Sequence, residues 1–99
     1  MKVLADVCVI PMGVGLSVSE HVATCQKIFK AAGLNYSMHS YGTNVEGEWD
    51  QVMDAIKSCH EAVHVAGAPR ISTTIRLGTR TDRDQSMQDK IDSVNEKLG

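Results

Sequence analysis

At 99 residues, 42% hydrophobic and 22% charged, the chain has the composition of one ordinary globular domain spanning residues 1–99, with room for one small core. A net charge of −2 with interspersed signs excludes the basic footprint of a nucleic-acid or anionic-membrane binder. One Trp, two Tyr and one Phe are too few for a platform that stacks single-stranded bases.

No run approaches the ~18 apolar residues of a membrane span. The N-terminal apolar stretch is interrupted by Asp6 and followed by Pro11, unlike a signal peptide. A soluble, cytoplasmic protein is expected. Cys8, Cys25 and Cys59 are widely spaced, in apolar contexts and without a CxxC pair, so they read as reduced small hydrophobes rather than zinc ligands.

Lys2 to Ile10 reads as a strand with Val3, Ala5, Val7 and Val9 on one face and Leu4, Asp6, Cys8 and Ile10 on the other. Pro11 is expected to end it, and Gly13-x-Gly15 to form a loop. Ser17-Val18-Ser19-Glu20 carries the pattern of a capping box, which starts a helix running to about Ala32. Its stripe is Val22, Cys25, Phe29 and Ala32, with Ile28 beside it, and Gly33 closes it.

Asn35 to Ser40 and Thr43 to Glu48 form a hairpin about Tyr41-Gly42. A second helix begins at Trp49-Asp50, carries Val52, Ile56, Cys59, Val63 and Ala66 on one stripe, and stops at Gly67 and Pro69. Arg70 to about Thr79 alternates as a fourth strand. A charged loop, Arg80 to Asp84, leads to a last helix with Met87, Ile91, Val94 and Leu98 as its stripe.

The order strand, helix, strand, strand, helix, strand, helix defines an α+β, ferredoxin-like βαββαβ antiparallel sheet with an added C-terminal helix. Helices then cover one face. The other face would carry Leu4, Cys8 and Ile10 among polar groups, and the fourth strand would be an open edge. Association of the chain with itself, as a dimer or tetramer, is the simplest cover for both.

Glu46 is a charge in the middle of a short strand, placed on the helix-free face with Asn44, His39, Ser37, Asp6, Ser72, Thr74 and Arg76. Two readings stand side by side. Either these groups form a polar pocket for a small cationic or heteroaromatic ligand, or Glu46 or Asp6 pairs with Arg76 across the sheet or an oligomer interface. His60 and His64, one turn apart, lack a third metal ligand and read as a solvated helix face. Ser17, His21 and Asp50 have nothing to bring them together as a hydrolase triad. Gly13-x-Gly15 could cradle an anion, as could Arg80 and Arg83, although a plain turn and a loop paired with Asp82 and Asp84 explain them as well.

Four segments carry a resemblance to a known family. They are Pro11-Met12-Gly13-x-Gly15-x-Ser17-x-Ser19, Ser40-Tyr41-Gly42-Thr43-x-Val45-Glu46-Gly47-Glu48-Trp49, Arg70-Ile71-x-Thr73-x-Ile75-Arg76-x-Gly78-x-Arg80-Thr81-Asp82 and Lys90-Ile91-x-Ser93-Val94. Together they resemble the thiamine-binding-protein-like family of small ferredoxin-like proteins. The Glu-Gly-x-Trp-Asp variant and the Gly-Thr-Arg-Thr-Asp loop are similar to fungal members.

The resemblance implies a homodimer or homotetramer that binds thiamine or its hydroxymethyl-pyrimidine part, without catalysis, cofactor or metal. It implies Thr43 and Glu46 as pocket residues, Ser17 at the mouth and Trp49 packed nearby, with Glu46 facing the aminopyrimidine amino group. Arg76, on the helix-free face, completes the candidate ligand set. Tyr41 stands where the family more often has Met. The alternative from another class is a structural or regulatory homo-oligomer whose polar sheet-face groups only complete an interface.

Overall fold

In the computed structural model, which describes residues 1–15 and 18–99, the elements run β1 (Lys2–Met12), α1 (Ser19–Ala31), β2 (Asn35–His39), β3 (Gly42–Glu48), α2 (Trp49–Val65), β4 (Arg70–Gly78) and α3 (Met87–Leu98). The strands form one antiparallel sheet in the order β2-β3-β1-β4. This is the expected α+β, ferredoxin-like fold, with α3 appended.

The period-two alternation of β1 sends Val3, Ala5 and Val7 into a core with Val45 of β3, Cys25 and Phe29 of α1, and Val52, Ile56, Cys59 and Val63 of α2. Both helices end as expected on a glycine. Gly33 and Leu34 donate to Lys30 and Phe29, and Gly67 and Ala68 donate to His64 and Val63, so the last carbonyls of each helix are capped.

The strand β1 continues through Pro11 to Met12, two residues past the expected stop. From Cys8 onward β1 pairs with β4 alone, and a strand with one free side tolerates a residue that has no N–H. The α1 helix begins at Ser19 after Val18, which makes no side-chain cap; Ser17, the expected cap, lies outside the described residues.

Among its described contacts, α3 differs from the other helices in burying no residue, and Ile91, Val94 and Leu98 of its stripe are exposed. It is well started nonetheless. Ser86 Oγ accepts from the Asp89 N–H, and the Asp89 carboxylate accepts from the Ser86 N–H. No helix of the structure is long and apolar enough to cross a membrane among the described residues.

Candidate functional site

The pairing Leu4↔Glu46, Asp6↔Asn44 and Asp6↔Arg76 places Glu46, Asn44, Asp6 and Arg76 on the sheet face opposite α1 and α2, as the alternation predicts. Glu46 is buried, at 6% exposure. Its charge is met within the chain. Asn35 Nδ2 donates to Oε1, and the Met87 N–H, at the start of α3, donates to Oε2 at 2.8 Å. A carboxylate at a helix N-terminus also complements the partial positive charge there. Arg76 is exposed and takes no part in this pairing; Asp6 Oδ1 is instead 2.7 Å from His39 Nε2.

Thr43 stands three residues before Glu46 on one strand, an odd separation, and so faces the other way. It points under α1, is 4% exposed, and accepts a hydrogen bond from Gln26 Nε2 at 2.8 Å. One chain therefore does not bring Thr43 and Glu46 into a single pocket. Trp49 lies at the far end of β3 from Thr43, where its N–H donates to the Met1 carbonyl. Ser17 is outside the described residues.

Thr43 and Gln26 belong to a cavity of ≈ 250 Å³ between α1 and the sheet. Val7, Val22, Cys25 and Phe29 supply apolar walls, and Tyr41, 87% exposed, stands at its rim. The distinctive atom here is Gln26 Oε1, which is buried and meets no donor among the described residues. A buried carbonyl without a donor is costly, and the large majority of such atoms in native proteins are satisfied. Sequence reading missed Gln26. The signal was present: residues 22, 26 and 29 follow the four-three spacing of the core stripe, so an amide at 26 faces inward with Val22 and Phe29.

Two glycines frame this stretch for steric reasons. A Cβ on Gly42 would lie 2.8 Å from the Val7 carbonyl oxygen, and one on Gly47 would lie 2.6 Å from Leu34 Cδ2. The Gly-Thr-x-Val-Glu-Gly segment thus combines two close backbone approaches with two inward residues on one face, Thr43 and Val45, and Glu46 on the other.

A larger cavity, ≈ 600 Å³, lies on the open face beneath the N-terminal half of α3, with Arg76, Asn44 and Asp6 in its walls. The histidines on α2 have partners inside the chain: His60 Nε2 is 2.6 Å from Thr73 Oγ1, and His64 Nδ1 is 2.8 Å from the Ala68 carbonyl. His64 is exposed as expected, while His60 is half-buried. Cys25 and Cys59 are free, buried thiols; a hydrogen bond to Cys25 and burial push the Cys59 thiol up, so it stays protonated. No group of three or more His, Cys, Asp or Glu could hold a metal ion among the described residues.

A four-stranded antiparallel sheet, helices on one face and a capped carboxylate beneath a third helix define a small ferredoxin-like domain with a cavity on each side of its sheet. By sequence the chain belongs to the thiamine-binding protein family, whose pattern it matches over residues 5–95. A UPF0045 protein of Synechocystis is 58% identical over 94 residues, covering 95% of this chain and 78% of the relative. A fungal UPF0045 protein, from Eremothecium gossypii, is 46% identical over 99 residues, covering 99% and 94%. A solved structure of a hypothetical protein from Methanocaldococcus jannaschii superposes with a TM-score of 0.88 at 30% identity, covering 96% of this chain and 97% of that one.

Proposed function

We propose that this chain is a non-catalytic binding protein for thiamine or its hydroxymethyl-pyrimidine part, acting as a homo-oligomer. The observation that carries the reading is the buried Gln26 Oε1 without a donor, beside Thr43 in the ≈ 250 Å³ cavity. An aminopyrimidine has the matching chemistry. Its exocyclic amine donates to Gln26 Oε1 once a turn of the Gln26 side chain brings that buried oxygen to the cavity wall. The Thr43 hydroxyl accepts from Gln26 Nε2 and has its own hydrogen left to donate to a ring nitrogen. Val22 and Met38, on the cavity wall and less buried than Phe29, take the ring faces. The volume is just below the about 300–1,000 Å³ of drug-sized sites, so one heteroaromatic ring fits and the remainder of thiamine extends outward. On this reading the amino group meets Gln26, while Glu46 serves α3.

The family description supports the ligand class. Self-association is supported by Ile10 and Met12, 45% and 44% exposed near the end of β1, and by the single-sided strand β4. The same surface favours the second reading, an oligomer with no ligand.

The test is isothermal titration with thiamine and with hydroxymethyl-pyrimidine, on wild type and on Gln26→Leu, with light scattering on both proteins. Saturable heat in the wild type that disappears in a still-assembled variant supports the binding reading. An assembled wild type that gives no heat with either compound leaves the interface reading in its place.

A further inference from the structure

The ≈ 600 Å³ cavity on the open face gathers five basic side chains, Lys2, Arg76, Arg80, Arg83 and Lys90, against two carboxylates, Asp6 and Asp84. The whole chain has 10 Lys and Arg and 12 Asp and Glu. Half of the cations of a net-acidic protein therefore line one depression, with a sixth of its acids. Chance scatter over an exposed surface would keep the chain's own ratio.

Four of the five cations are also uncommitted among the described residues. Arg80 is held in place by Asp82 and Gln85, with its Nη1 2.7 Å from Gln85 Oε1. Arg76, Arg83, Lys2 and Lys90 have no carboxylate within ion-pair distance among the described residues. Asp6, the acid opposite Arg76 in the β1–β4 pairing, is engaged by His39. The α3 N-terminus, whose first N–H would otherwise hold an anion, is already occupied by Glu46. An anion entering the cavity thus meets four unpaired guanidinium and ammonium groups against one unpaired carboxylate, Asp84, among the described residues.

We infer that this cavity is a second binding site, for a multivalent phosphate group carried on a small organic molecule. Guanidinium forks match phosphate oxygens bidentately, and two arginines with two lysines suit a group of more than one negative charge. Leu4, Leu77 and Ile91 add apolar wall for the organic part. The site lies across the sheet from the Gln26 cavity and shares no residue with it, so it stands independently of the aminopyrimidine reading.

The test is isothermal titration with inorganic pyrophosphate at low salt, with citrate as a multivalent anion lacking phosphorus. Wild type, Arg76→Gln/Arg83→Gln, Lys90→Glu and Gln26→Leu are compared, each checked for folding by circular dichroism. The expected result is saturable binding tighter than about 1 mM that weakens at high salt. It should weaken about tenfold or more in the double variant and in Lys90→Glu, and be unchanged in Gln26→Leu. Absence of binding by wild type, equal affinity in the folded double variant, or citrate binding as tightly as pyrophosphate would overturn it. Because Gln26→Leu removes only the other cavity's amide, failure here is separable from failure of the thiamine reading.

Discussion

Replacing Glu46 with Gln tests what holds α3 to the domain. The substitution keeps size and shape and removes one charge. Gln can still accept from Asn35 Nδ2 with its single oxygen, but its amide then presents N–H toward the Met87 N–H, and two donors face each other. Hydrogen bonds to a charged partner contribute about 1.5–3 kcal/mol each, so the loss at Met87 is of that size. The helix has little else to offset it, since α3 buries no residue. A released twelve-residue helix is marginal in water. The damage should therefore stay local, and the global cost is bounded by the docking free energy of α3. Converted at about 1.4 kcal/mol per factor of ten, amide exchange in α3 should quicken about 10- to 100-fold while β1 and β3 keep their protection. Hydrogen exchange followed by NMR reads both regions at once. Unchanged α3 exchange, or equal acceleration in α3 and the sheet, would refute the assignment of Glu46 as the anchor of this helix.

Two further outcomes follow from local geometry. Gly42→Ala sets a Cβ 2.8 Å from a backbone oxygen that cannot rotate away, and should lose about 1–3 kcal/mol, whereas Gly78→Ala meets nothing within 4 Å and should be neutral or slightly stabilising; paired urea melts check this. The Asp89 carboxyl is held below its ordinary range by hydrogen bonds from Ser86, so its support of the α3 start is complete above the unfolded carboxyl value, about 3.9, and is lost as pH falls through the lower folded value. An NMR titration of α3 into acid should show that loss in wild type, and Asp89→Asn should flatten its share of the response.

Most of the fold was legible because its signals are local. Alternation in β1, the four-three stripe of α2 and the glycines after α1 and α2 each state a conformation within a few residues. What escaped depends on segments distant in sequence. The partner of Glu46 is a backbone N–H 41 positions away, delivered by a helix whose arrival on the open face no local pattern announces. The exposure of Ile91, Val94 and Leu98 has the same origin: an apolar stripe says that a helix wants cover, not that its own domain supplies it. The family resemblance groups Thr43 with Glu46, although strand periodicity alone places them on opposite faces. Gln26 is visible in the spacing of α1, but its polar amide hides it, because a stripe is recognised by apolar side chains.

The division of β1 has a consequence for how the protein can change. One cavity takes Lys2, Leu4, Ala5 and Asp6 from this strand, the other takes Val7, Cys8, Val9 and Ile10, and the boundary falls between neighbouring residues. The two compartments are thus written in separate passages of one short text. A substitution at Leu4 or Arg76 edits one without altering a letter of the other, so a lineage, or an engineer, can revise either chamber while the opposite one is inherited intact.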